Sequence, residues 1–203
     1  MSGEMMTIAP LLTVVFGAVA VLIADMLVPA RRLTPITVAL VALGAAAVVI
    51  TAQGGGVTSA LAGAYVTGPF VSYLGLLGIT VTTITLLMTP DHLGDRGYPT
   101  AEFASILLFA LAGAILVAAS TDLVTLFIGL ELLVIPGYLL AGYAKRDPLS
   151  TEGAVKYFLL GSFSSAILLF GIVLLWGSSG TASLSGIAVA LASGGAKIGR
   201  AHV

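Results

Sequence analysis

Hydrophobic residues fall along this chain in long blocks of Leu, Ala and Val, separated by short clusters of glycine, proline and charge. The blocks occupy Ile8 to Val28, Pro35 to Ala52, Phe70 to Thr89, Ala101 to Ala119, Thr121 to Tyr143 and Gly153 to Trp176. Each is long enough for a helix to cross a bilayer, which takes about 18 apolar residues or more. The alternating segments of about ten residues that mark an outer-membrane barrel are absent. The pattern therefore predicts an all-α fold, a polytopic bundle of about six transmembrane helices.

Composition narrows this further. The 203 residues are 59% hydrophobic and 8% charged, against roughly 25% charged in a soluble domain. Because the apolar blocks recur, the first is read as a span and not as a cleavable signal. The chain has no cysteine, which excludes disulfides, thiolate metal sites and iron–sulfur ligation within it. No cofactor is expected in this chain, and any redox chemistry belongs to partner subunits. A net charge of −1 gives no basic footprint for nucleic acid.

The few bases are placed one-sidedly. Arg31 and Arg32 follow the first span, Arg96 the third, and Lys145 and Arg146 the fifth. The positive-inside rule makes those loops cytoplasmic and puts the N-terminus outside.

Most other polar residues have structural explanations. Asp25 is an interfacial carboxylate within reach of Arg31 and Arg32. Gly54, Gly55 and Gly56 lie in an uncharged stretch, Gln53 to Pro69, read as an external linker, because no strand and no lysine make it a phosphate cradle. Thr80, Thr82, Thr83 and Thr85 are expected to bond back to their own helix or to stitch neighbouring helices. His92, between Asp91 and Asp95, lacks a second imidazole and reads as a solvated turn. Glu102 and Asp122 are first-turn acids facing a helix dipole, with Ser120 or Thr121 expected to cap.

Two residues resist such explanations. Glu131 lies ~15 Å along its helix, in the middle of a ~30 Å hydrocarbon core, where a carboxylate persists only if paired or hydrated. Lys156 lies ~7–8 Å deep on the returning helix, so the axial offset between them is expected to be ~7–8 Å. An acid and a base at such depth can form a pair whose making and breaking shifts proton affinity. Pro136 removes a hydrogen bond from the helix of Glu131. Gly161, Ser162, Ser164 and Ser165 give the next helix a small, polar face.

The segments STDLVTLFIGLELLVIPGYLLAGY and STEGAVKYFLLGSFSSAILLFGIVLLWG resemble the antiporter-like subunits of respiratory complex I, the bacterial NADH-quinone oxidoreductase, and most closely its subunit N branch. The resemblance is strong from about Glu102 to Gly180. It implies a fourteen-helix fold of two inverted repeats in a bacterial cell membrane, truncated here after about six helices. It implies that Glu131 tunes the proton affinity of a lysine on a broken seventh helix, and that Lys156 joins the same polar axis. Pro136, Ser162, Ser164 and Ser165 would support that axis. It further implies other membrane-arm subunits as partners, with NADH, flavin, iron–sulfur clusters and quinone bound in partner subunits.

The expected organisation is a three-helix membrane segment over 1–100, the start of an antiporter-like proton channel repeat over 101–196, and a non-native tail over 197–203. Ile198 to Val203 are what one frame of a common sequencing adapter encodes, and Lys197 agrees with the codon preceding it. The native sequence is then expected to end near Ala196, and His202 receives no role. A multisubunit cation/proton antiporter, a membrane-bound hydrogenase subunit and a non-conducting membrane scaffold remain alternative readings of Glu131 and Lys156.

Overall fold

The computed structural model describes residues 2–28 and 33–193. Arg31, Arg32, Lys197, His202 and the whole 197–203 tail lie outside the described residues, as does the side chain of Asp91.

Six long helices alternate in direction: α1 (Ser2–Leu27), α2 (Thr34–Ala52), α3 (Pro69–Gly94), α4 (Thr100–Ala119), α5 (Leu123–Ala141) and α6 (Pro148–Ser179). All are long and apolar enough to cross a membrane. A seventh, short helix, α7 (Leu184–Ala192), follows them. It is capped by the Ser183 hydroxyl, which accepts from the Gly186 N–H.

Helix α4 is the hub and packs against α1, α2, α3 and α5. Its inward residues, including Ala104, Leu108 and Ala112, join Val14, Leu43 and Leu86 in one buried cluster. In lipid no hydrophobic force drives helices together, so small residues that let backbones approach matter most. A Cβ added at Gly113 would lie 2.4 Å from the Leu133 nitrogen, and one at Gly129 would lie 2.8 Å from the Val117 nitrogen. Only glycine permits α4 and α5 to cross this closely. Helix α6 is different: it leans on α5 and α7 and leaves most of its apolar surface open.

The end of the bundle that carries the N-terminus is closed by a backbone seam. The stretch expected to be a plain linker is instead an antiparallel hairpin, β1 (Thr58–Ala60) and β2 (Tyr65–Thr67), joined by a 3-10 turn. Thr58 and Thr67 pair their hydroxyls at 2.7 Å, and the Thr7 hydroxyl of α1 reaches Thr58 at 3.1 Å. The Thr121 N–H donates to the Ala64 carbonyl at 3.0 Å. Tyr65 is fully buried beneath the hairpin, and burial pushes its phenol up to about 12. Turn residues alone could not reveal this hairpin, because its order comes from distant partners in α1 and at the α4–α5 corner.

The seam continues to α6. Leu123 N–H donates to Ala182 at 2.9 Å and Leu184 N–H donates to Thr121 at 3.0 Å. The cap of α5 is Asp122 itself, and neither Ser120 nor Thr121 takes that place: its Oδ1 accepts from Val124 N–H at 2.8 Å and Thr125 N–H at 3.0 Å. Ser120 instead ends α4, donating to the Val117 carbonyl. Asp122→Ala is expected to cost about 1 kcal/mol, and Asp122→Ser to restore most of it, because serine caps equally well. Thermal unfolding in detergent, followed by fluorescence of Trp176, reads both.

Two of the four α3 threonines singled out in the sequence, Thr80 and Thr85, bond back to their own helix as expected. Thr80 donates to Leu76 at 2.8 Å and Thr85 to Val81 at 2.9 Å, each one turn back along its own helix.

Candidate functional site

Glu131 sits half-buried in the middle of α5, and among the described residues it has no ion-pair partner. Helix α5 runs unbroken through the buried Pro136. Proline has no N–H to offer, so the Leu132 carbonyl beside Glu131 loses its helical donor.

Lys156 lies elsewhere than the sequence spacing suggests. Its ammonium pairs with the carboxylate of Glu152, one turn back on α6, and its side chain is 68% exposed. The packing of α5 on α6 explains the distance from Glu131. Gly142 faces Ala154, Gly137 faces Tyr157, and Gly161 faces the Tyr138 hydroxyl. This register sets Lys156 level with residues 140–141 of α5, so Glu131 is ~14 Å away along the axis, about twice the offset expected from helix length. The expected offset sets the start of α6 level with the end of α5, whereas α6 begins at Pro148 and about two of its turns lie beyond the level of Ala141.

Glu131 itself stands level with Ser164 and Ser165 of α6. Ser165 is half-buried, while Ser162 and Ser164 are exposed on the open side of that helix. Between the two levels lies a residue that sequence reasoning passed over, Tyr138. Its ring is buried, edge-on to Tyr157 at 4.8 Å and to Phe158 at 5.6 Å. Its hydroxyl points at Gly161 and finds no hydrogen-bond partner. Buried phenols normally find one. Its two-turn spacing from Glu131 puts both on one side of α5, a signal that was available in the sequence.

At the base-bearing end, Lys156 and Glu152 line an open groove of 530 Å³ together with Lys145 and Arg146. Lys145 pairs with Glu102 at 3.4 Å. The Tyr143 hydroxyl donates to the Pro99 carbonyl. Burial, then the nearby Glu102 charge, push the Tyr143 phenol up to about 12. The bundle thus offers a cationic, water-accessible end, a buried hydroxyl halfway in and a carboxylate at mid-depth. Among the described residues no cluster of His, Cys, Asp and Glu could hold a metal ion.

Residues 120–201 match the family model described as NADH:quinone oxidoreductase/Mrp antiporter, transmembrane. The chain is 38% identical over 187 residues to NAD(P)H-quinone oxidoreductase subunit 2 of Prochlorococcus marinus (strain NATL2A), covering 91% of this chain and 35% of that protein. It is 35% identical over 188 residues to NADH-quinone oxidoreductase subunit N 2 of Rhizobium meliloti (strain 1021), covering 91% of this chain and 39% of the relative.

Among solved structures, a chain of respiratory complex I from Thermus thermophilus with bound Aureothin superposes with a TM-score of 0.72 at 25% identity, over 86% of this chain and 38% of that one. A chain of the archaeal membrane-bound sulfane sulfur reductase has the same fold, with a TM-score of 0.73 at 21% identity, over 93% of this chain and 39% of that one. The helices, their order and these relatives together make the chain a member of the NADH:quinone oxidoreductase/Mrp antiporter transmembrane family, and it spans about a third of the length of the curated relatives it matches.

Proposed function

We propose that the chain is part of a proton-translocating membrane-arm subunit of NADH-quinone oxidoreductase, in a bacterial inner membrane, with NADH, flavin, iron–sulfur clusters and quinone held by partner subunits. The observation that carries this is Glu131: a half-buried carboxylate at mid-depth in α5, without an ion-pair partner among the described residues. A carboxyl group there holds a proton or releases it according to its hydration and its nearest charge.

Protons would enter at the groove where Lys156 and Glu152 meet, since that end opens to water and Lys156 can exchange one carboxylate partner for another. The hydroxyls of Tyr138 and Ser165 would lead on to Glu131. Pro136 leaves a carbonyl acceptor at that level. Together, the ~14 Å between Lys156 and Glu131 and the intervening hydroxyls favour a relay over a direct pair.

The test is Glu131→Gln in the complete subunit within its assembled complex. NADH oxidation should continue, while acidification of inside-out vesicles should fall several-fold. Unaltered pumping with normal assembly would overturn the reading and favour a non-conducting scaffold, which the Lys156–Glu152 pair also fits. The family description also covers Mrp antiporters. Vesicle acidification driven by a sodium gradient, and not by NADH, would place the chain in that branch.

A further inference from the structure

A crevice at the base-bearing end opens beside the proposed proton entrance, with which its rim shares Lys145 and Arg146. It has a volume of 480 Å³ and opens between the ends of α3 and α5 and the start of α4. Its wall looks mixed in sequence but is apolar in effect. Thr89 donates to the Thr85 carbonyl at 2.8 Å, Ser150 to the Ala141 carbonyl at 2.8 Å, and Tyr143 to the Pro99 carbonyl. With those hydroxyls engaged on backbone, the inward surface is mainly hydrocarbon from Met88, Leu93, Phe103 and Leu140, and the His92 imidazole, one turn before Arg96, is the polar side chain that lines it on the α3 side.

The mouth has the opposite character. It continues through Arg96, Tyr98 and Tyr143 into a cavity of 270 Å³ lined also by Lys145 and Arg146. Lys145 is occupied by Glu102, while Arg96 and Arg146 have no ion-pair partner among the described residues. Tyr98 and Tyr143 stack edge-on at 6.0 Å beside this rim. Tyrosines at a helix end mark the level of lipid headgroups, where an amphipathic ring is best placed.

An occupant that satisfies both parts needs an unbranched apolar tail of bilayer length and a compact anion. We propose that the crevice is a binding site for an anionic phospholipid, with its phosphate between Arg96 and Arg146 and one acyl chain lying along Leu140 and Met88. Guanidinium groups bind phosphate oxygens in a fixed fork, and basic pockets between helices on the cytoplasmic side suit anionic headgroups. A zwitterionic lipid supplies the same tail but no net charge for the two arginines.

The experiment is native mass spectrometry of the full chain released from nanodiscs of phosphatidylglycerol and phosphatidylcholine in equal parts. The parent should retain phosphatidylglycerol selectively. Arg96→Gln with Arg146→Gln should lower that retention about thirtyfold, the product of two surface-charge contributions. The matching pair Arg96→Lys and Arg146→Lys should keep most of it, which shows that the fold tolerates changes there. Leu140→Trp should fill the crevice and release the lipid with both arginines present. Equal retention of both lipids, or retention unaffected by the glutamine pair, would overturn the proposal. So would displacement of the lipid by inorganic phosphate alone, since that would mean that the tail contributes nothing.

Discussion

Gly113→Val should prevent α4 and α5 from docking, and the variant should fail to elute as a monodisperse species on size-exclusion chromatography in detergent. A Cβ at residue 113 would stand 2.4 Å from the Leu133 nitrogen, 2.7 Å from the Leu132 carbonyl carbon and 2.8 Å from the Leu133 Cα. All three are backbone atoms of a helix, so no rotamer change relieves them and the helices must separate. Overpacking of an ordinary core costs about 1–3 kcal/mol, and a backbone clash in the most intimate contact of the bundle belongs at or beyond the top of that range. Close packing is also what holds helices together in lipid. Gly113→Ala should show the same defect in weaker form. A valine variant with the parent's elution and thermal midpoint would mean that the close crossing is not limiting.

Gly161→Ala should be the most damaging small substitution on α6. Its Cβ would lie 1.8 Å from the Tyr138 hydroxyl oxygen and 2.5 Å from ring carbon Cζ. The ring cannot simply turn aside, because Tyr157 and Phe158 both pack edge-on against it. We expect a loss of roughly 1–3 kcal/mol. Tyr138→Leu should recover much of it, giving a coupling of at least ~1 kcal/mol in a double-mutant cycle read by thermal midpoint. Tyr138→Phe alone should leave stability unchanged or slightly raised, since the hydroxyl it removes is buried without a partner. If Tyr138→Phe nonetheless lowers proton pumping, the hydroxyl acts in the relay, because packing cannot account for that loss.

The six spans were legible because an apolar block long enough to cross a bilayer has few other uses. Their ends agree with the structure to within a few residues for α2 and α4. The agreement is poorest at α6, where Pro148 sits in the first turn with Asp147 as its cap. The consequence at the site comes from an overhang: the first two turns or so of α6 stand beyond the end of α5, so helix starts are not level and Lys156 looks closer to Glu131 in depth than it is. Rotation was a second unknown. The apolar residues of α6 run right round the helix and its small, polar positions span more than one side, so its pattern does not fix which side meets α5, and the fit of Tyr138 over Gly161 decides it. The hairpin stayed hidden for a related reason, since Thr58, Tyr65 and Thr67 gain their roles only once Thr7 and Thr121 arrive beside them. Glu131 needed no such help, because the cost of a carboxylate in hydrocarbon is a property of the residue and its depth alone.

The two ends of α6 are anchored very differently. At its C-terminal end, main-chain bonds run from the hairpin through Thr121 and Leu123 to Ala182 and Leu184. At its N-terminal end the nearest cross-links are the Ser150 hydroxyl on the Ala141 carbonyl and a solvent-exposed ion pair between Lys145 and Glu102. A rod clamped at one tip and loosely tethered at the other has its fulcrum at the clamp. Any tilt of α6 about that end therefore moves Lys156, ~35 Å along the axis from Ser179, roughly 1.6 times as far as Ser165, which is ~21 Å from it.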